Sequence, residues 1–410
     1  MVSIVNPVVS IVVNKQNTDS KRMKLASKHL CSGCTACSAI CPVSAITMLD
    51  DHEGFKYPDI DSNTCTHCGL CEQVCPVLHP NPAREPLAVY AAKCKDDELR
   101  MRSSSGGMFT LLAQQVLNDG GVVFGAGWNP DWRVVHKAVE TEEGLADLRG
   151  SKYVQSDMGD TFKQVKGFLE SGRRVLFSGT PCQVAGIQEY LANTISQDNP
   201  YREKLLLVDF ICHAVPSPKV FALYLQDKVF QYKGNPIRIL FRDKIKGWKN
   251  FSFSIEFDNG EKYNMNRGAE NFYMGFYQDI FNRPSCANCS FRSLRSGSDV
   301  TIADYWNVQK KFSGFDDDKG VSLVMANTEE GALATRGGLF MCEYIESDFF
   351  DVKAKNCHVF ASPKPHPKRD DFFKVLNHEN FEHLVNRLLK PAFHKRWRWF
   401  LGRLKRKVLG

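Results

Sequence analysis

Apolar and polar positions along this chain fall into three regimes. Between about residues 87 and 362, short apolar runs alternate with longer segments of helical period. The runs Gly121-Val-Val-Phe124, Arg174-Val-Leu-Phe177 and Leu205-Leu-Leu-Val-Asp-Phe-Ile-Cys212 read as buried strands. Helical segments are expected over 108–117, 181–192 and 217–231, and the alternation predicts an α/β core. Residues 250–257 and 262–265 then alternate polar with apolar side chains and predict an antiparallel addition. The region before residue 80 is different: it is punctuated by cysteines, with a short hairpin expected from Ala45-Ile-Thr-Met48 and Gly54-Phe-Lys-Tyr-Pro58. Four prolines between Pro76 and Pro86 mark a linker. From Pro363 the chain is proline-rich, then helical and basic.

These regimes divide the 410 residues into an extension (1–28), a cysteine-rich module (29–80), a main domain (87–362) and a basic helical tail (363–410). Val2–Val13 is apolar and β-branched, with Pro7 inside it. No basic residue precedes it and no clear cleavage site follows, so it does not read as a signal peptide, and it is too short to span a bilayer. A strand-like or unstructured extension is expected, or a start at Met23. The net charge of +7 is mild and concentrated in the tail, which lacks an RNA-binding motif, so nucleic acid is not an expected partner. At helical spacing Phe393, Trp397, Phe400, Leu401, Leu404 and Val408 share a face flanked by Lys395, Arg396, Arg403, Lys405 and Arg406. That face suits peripheral contact with an anionic membrane, or docking on the protein's own core or a partner.

Fifteen cysteines change the picture most. Cys31-x2-Cys34-x2-Cys37-x3-Cys41-Pro42 recurs as Cys65-x2-Cys68-x2-Cys71-x3-Cys75-Pro76. Three thiolates in a compact loop reach three irons of a 4Fe–4S cubane, and the fourth comes from the other motif. Cys31, Cys34, Cys37 and Cys75 are therefore assigned to one cluster, and Cys65, Cys68, Cys71 and Cys41 to the other. A zinc site needs only four thiolates and rarely shows a third cysteine at this spacing. The spacing also excludes the three-cysteine loop of radical S-adenosylmethionine enzymes, which would need cysteine where Ser44 and Leu78 stand. Two such clusters imply an electron relay in a reducing cytoplasm.

In the main domain several phrases occur together: Arg102-Ser-Ser-Ser-Gly-Gly-Met-Phe109, Ser151-Lys-Tyr-Val-Gln-Ser156, Ser178-Gly-Thr-Pro-Cys-Gln183, Cys212-His-Ala-Val-Pro-Ser-Pro218, Arg283-Pro-Ser-Cys-Ala-Asn-Cys289 and Asp299-Val-Thr-Ile-Ala-Asp-Tyr-Trp306. In this order they resemble the beta subunits of coenzyme F-420 hydrogenase/dehydrogenase, in the branch with an N-terminal ferredoxin module. The resemblance spans roughly residues 29–340. It implies an α+β ferredoxin-like two-cluster module followed by a larger α/β flavin-binding domain. It also implies FAD, a 4Fe–4S cluster beside it, and oxidation or reduction of an organic partner. Bacterial relatives of this look often accompany polysaccharide-synthesis enzymes. Ala214, and Asn307 after Ala303-Asp-Tyr-Trp, stand where the family usually has glycine, which leaves the substrate, deazaflavin included, open.

The residues support these implications in part. Ser103, Ser104, Ser105, Gly106 and Gly107 precede a helical run and suit a flavin pyrophosphate, or a plain helix cap. Gly179 and Thr180 follow a strand, with Pro181 in the first helical turn, where α/β proteins bind ligands. Lys152, Tyr153 and Gln155 lie in a polar phrase; Lys152 is expected at a phosphate or near the flavin ring, or else in solvent. Cys182 and Cys212 fall at strand ends and join Cys286 and Cys289 as candidate ligands of a third 4Fe–4S cluster, with zinc or plain core cysteines as alternatives. His213 is a candidate proton donor. Cys94, Cys342 and Cys357 show no partner pattern. The expected function is an iron–sulfur flavoprotein oxidoreductase working with a redox partner protein or reduced ferredoxin; the alternative is a subunit that only relays electrons to a partner enzyme.

Overall fold

The computed structural model describes residues 24–196, 198–355 and 357–389. The apolar N-terminal stretch, Met23 and the basic face from Phe393 lie outside them.

The main domain is built on one mixed sheet. Its strands are β3 (Ala88–Cys94), β4 (Val122–Trp128), β5 (Val134–Val139), β6 (Val175–Ser178), β7 (Leu205–Phe210), β11 (Val300–Asp304), β12 (Ser322–Ala326) and β13 (Cys342–Ser347), in the order β13-β3-β12-β11-β7-β6-β4-β5. The four inner strands β11, β7, β6 and β4 run parallel. Continuous apolar sequence goes with burial on both faces, and Val175, Leu176, Phe177, Leu207 and Val208 are all fully buried. β12, β3 and β13 on one side and β5 on the other pair antiparallel. The expected antiparallel addition is a separate sheet of β8 (Pro236–Asp243), β9 (Ser252–Phe257) and β10 (Lys262–Asn266).

The expected helices are present over Met108–Asn118, Pro181–Ala192 and Pro218–Tyr232. Helix Pro181–Ala192 starts where the sequence says it should. Pro181 occupies the first turn, and Thr180 and Gln183 close a reciprocal capping box.

Before the linker, β1 (Ile46–Asp50) and β2 (Lys56–Ile60) form the expected hairpin, Ile46 opposite Ile60. The module is not a bead on a string. Cys34, Ala36, Ile40 and Val74 share a core with Phe124, Phe162, Val184 and Ile187 of the main domain. Phe55 at the hairpin turn is fully buried in the aromatic core of Phe221, Tyr224, Phe241 and Phe272. Residue 362 is no physical boundary either. Helices Arg369–Val375 and Phe381–Leu389 drive Phe372, Phe381, Leu384 and Val385 into that same core. Arg369 meets Glu53 of the module in a buried bidentate pair. No helix among the described residues is long and apolar enough to cross a membrane.

Candidate functional site

The duplicated cysteine motif is duplicated in backbone conformation as well. Gly33 and Thr35 in the first loop, and His67 and Gly69 in the second, hold positive φ at matching positions. Alternation of left- and right-handed residues turns successive amides toward one side, the nest that binds anions and iron–sulfur clusters. Short helices follow each loop, Ala36–Ile40 and Leu70–Gln73.

Cys31, Cys34, Cys37 and Cys75 lie within electrostatic reach of one another. Burial, then the neighbouring thiols, pushes Cys37 up to about 12 and Cys34 well above the usual thiol range. The hydroxyls of Ser32 and Thr35, in the same loop, are buried without a protein partner. The thiolates and sulfides of a bound cluster would supply the acceptors these donors lack. Cys41, Cys65, Cys68 and Cys71 line a small cavity with Ile46 and Ile60 of the hairpin. Cys68 is exposed, so this set is the outer one. Each set thus takes three cysteines from one motif and the fourth from the other.

The main domain gathers a third set. β6 and β7 are parallel neighbours, so Cys182 and Cys212 emerge side by side at their carboxyl ends. They line a cavity, open at its mouth, together with Cys286 of the turn Pro284–Asn288 and Cys289 just after it. Burial raises Cys182 to about 11 and Cys286 to about 12, with the other thiols of the set adding to it. Without iron these groups are thiols, and loading must release their protons. Among the described residues no three His, Cys, Asp or Glu side chains close on a point as around a lone metal ion. The four thiols line the cavity wall. Arg292 lines one wall, its guanidinium on the carbonyls of Cys212, His213 and His358. His213 sits at the rim, 3.0 Å from Asp279 Oδ1 through Nε2 and beside His358 through Nδ1.

Behind Cys182 runs a hydrogen-bonded chain that the sequence did not announce. The Thr180 hydroxyl lies 3.1 Å from Cys182 Sγ and donates to Gln183 Oε1. Gln183 Nε2 donates to Ser156 Oγ, which lies 2.9 Å from His136 Nδ1.

The residues expected at a flavin are placed differently. Lys152 is turned onto the backbone. Its ammonium caps three carbonyls, of Asp147, Leu148 and Arg149, at 2.9–3.1 Å, because residues 145–148 form a short helix that ends just before it. Burial lowers it to about 7. Gly106 presses on the protein itself: its amide donates to Ser322 Oγ, and a Cβ there would meet Ala92 O at 2.4 Å. Ser103 and Ser105 donate to the Leu99 and Val321 carbonyls, and Ser104 Oγ accepts from Ser151. Gly107 caps the helix Met108–Asn118 in the left-handed region, and the Gly179 amide donates to Val208 O. Tyr153 stacks on Phe276 and meets Arg242, which is bidentate on Asp304. Gln155 bridges to the module through Ser32 O and Arg283. As placed, these residues hydrogen-bond within the protein.

The fold and the cysteine sets together define an iron–sulfur protein of oxidoreductase type. Residues 30–78 match the 4Fe-4S dicluster domain. Residues 89–163 and 172–339 match the N-terminal and C-terminal parts of the coenzyme F420 hydrogenase/dehydrogenase beta subunit, and the chain belongs to that family. Among solved structures, a chain of the F420-reducing [NiFe] hydrogenase complex from Methanosarcina barkeri, determined with xenon, is similar. It is 17% identical at a TM-score of 0.45, covering 74% of this chain and 90% of that one. Among curated proteins, none matches.

Proposed function

We propose that this chain carries electrons singly between a redox partner, a protein or reduced ferredoxin, at the module's exposed end and the interior of the main domain. There an organic substrate is oxidised or reduced with FAD. The observation that carries this reading is the seating of the inner cysteine set on the third. A Cβ on Gly186 would meet Cys34 Sγ at 3.0 Å, and Gly186 lies one turn along the helix that opens with Pro181 and Cys182. When bound, 4Fe–4S clusters take and give single electrons, and FAD exchanges these for a two-electron transfer.

The chain's own residues hold this arrangement. Cys65, Cys68, Cys71 and Cys41 form the outer station; Cys31, Cys34, Cys37 and Cys75 the inner; Cys182, Cys212, Cys286 and Cys289 the last. His213, held between Asp279 and His358, is placed to keep a proton at the cavity rim. FAD is implied by the family's motif phrases, whose residues bond inward in this structure. A link to polysaccharide synthesis, and a lipid-linked substrate met through the basic tail, belong to the same proposal. The second reading, a relay subunit that binds no substrate, is favoured by the inward commitment of Gly106 and Lys152. Flavin fluorescence of denatured, iron-replete protein prepared without oxygen separates the two. Released flavin supports the enzyme; its absence sinks it and leaves the relay.

A further inference from the structure

Arg283 stands where the module meets the main domain and is only 2% exposed. Its Nε donates to the Cys31 carbonyl, Nη1 to Gln155 Oε1 and Nη2 to the Lys56 carbonyl, each at 2.9 Å. The guanidinium lies over the Tyr57 ring at 4.3 Å and near Phe55 at 5.3 Å. Every one of these partners is neutral, and among the described residues no carboxylate forms an ion pair with it. A buried cation left without a counter-charge is strongly unfavourable. On one side Arg283 packs on the first cysteine loop, where a Cβ on Gly33 would meet Nη1 at 2.8 Å. On the other it lines the cavity of Cys182, Cys212, Cys286 and Cys289. It does not line the outer cavity.

We propose that Arg283 is the counter-charge shared by the inner and the third cysteine sets, a positioning residue that locks the module in register and favours the reduced state of both. This rests on the reading that both sets hold clusters. A thiolate-ligated cubane is an anion that gains one negative charge on reduction, and local charge and hydrogen bonding set its potential. A fixed cation between two such sites therefore draws both potentials upward together.

The test is a reductive titration followed by electron paramagnetic resonance on the full, iron-loaded chain, comparing wild type with Arg283→Met and Arg283→Lys. Arg283→Met should keep its iron, while two midpoints fall enough to cut the reduced-to-oxidised ratio about tenfold at fixed potential, or about 59 mV for one electron. The third midpoint, of the outer set, should stay. Arg283→Lys, which keeps the charge and loses the fork, should return both midpoints close to wild type. Iron-replete Arg283→Met with unmoved midpoints overturns the inference, as does Arg283→Lys shifted as far as Met. If Arg283→Met does not fold, the Lys variant decides: wild-type midpoints support the inference and displaced ones overturn it. A wild type with no iron at these two sets removes the cluster reading itself, a different result from iron-replete sets that ignore Arg283.

Discussion

His136 shows what a single buried side chain contributes here. It is 8% exposed, stacks on Phe177, and bonds Ser178 O at 3.0 Å and Ser156 Oγ at 2.9 Å. Burial holds it neutral down to about pH 4. The unfolded chain takes up that proton near pH 6.5, so between 6.5 and 4 it binds more protons than the folded one. Stability is therefore full above about pH 6.5 and falls below it, with His136 accounting for up to about 3 kcal/mol. His136→Asn should be less stable at neutral pH but flatter through this window in urea unfolding; a variant as steep as wild type contradicts the assignment. No sequence pattern points to His136, since its partners lie 20 and 42 positions away. The same holds for Cys94 and Cys342. They read as unpartnered, yet they face each other in register on β3 and β13, both buried. The gathering of the twelve candidate cysteines into three sets was legible from spacing and strand-end position. The carbonyl cap made by Lys152 was not, because capping carbonyls and holding a phosphate both ask for an ammonium beside small and polar residues.

At the scale of elements, the hairpin turn between β1 and β2 is one fastening of the module. Ser217 Oγ donates to the Glu53 carbonyl, Lys219 Nζ to His52 O, and Arg369 grips the Glu53 carboxylate. Gly54, with φ +84°, sits so close that a Cβ would meet Lys219 Cβ at 2.3 Å. Gly54→Val should lift the turn and separate Glu53 from Arg369. Breaking a buried pair of this kind costs about 3–5 kcal/mol. Proteolysis in the Pro76–Pro86 linker should accelerate on the order of tenfold or more if cutting follows the open population. Unchanged cleavage would show that the turn does not hold the module down. Periodicity revealed β4, β6 and β7 but not β11 among the parallel inner strands, and the hairpin and the helices after β6 and β7, whose signals are local. It missed β3, inserted between β12 and β13, and the docking of 369–389, because strand order and helix docking depend on partners far along the chain.

Across the whole molecule, three cysteine sets lie in succession from the exposed Cys68 to the cavity at the carboxyl ends of β6 and β7. Two sets come from a repeat visible in the sequence. The third is assembled by the sheet from Cys182, Cys212 and the pair Cys286 and Cys289, which is why spacing alone left zinc and plain core cysteines open beside it. Contacts through Gly186, Arg283 and Glu53 seat the module on the main domain, as the proposed path requires. The central claim is that all three hold 4Fe–4S clusters. Iron and sulfide analysis of chain purified without oxygen tests it most directly, run beside the double variant Cys286→Ser, Cys289→Ser. The account predicts about twelve irons per chain, falling to about eight in the variant while the ferredoxin-type pair survives. About eight irons in the wild type, unchanged by the double substitution, would contradict it.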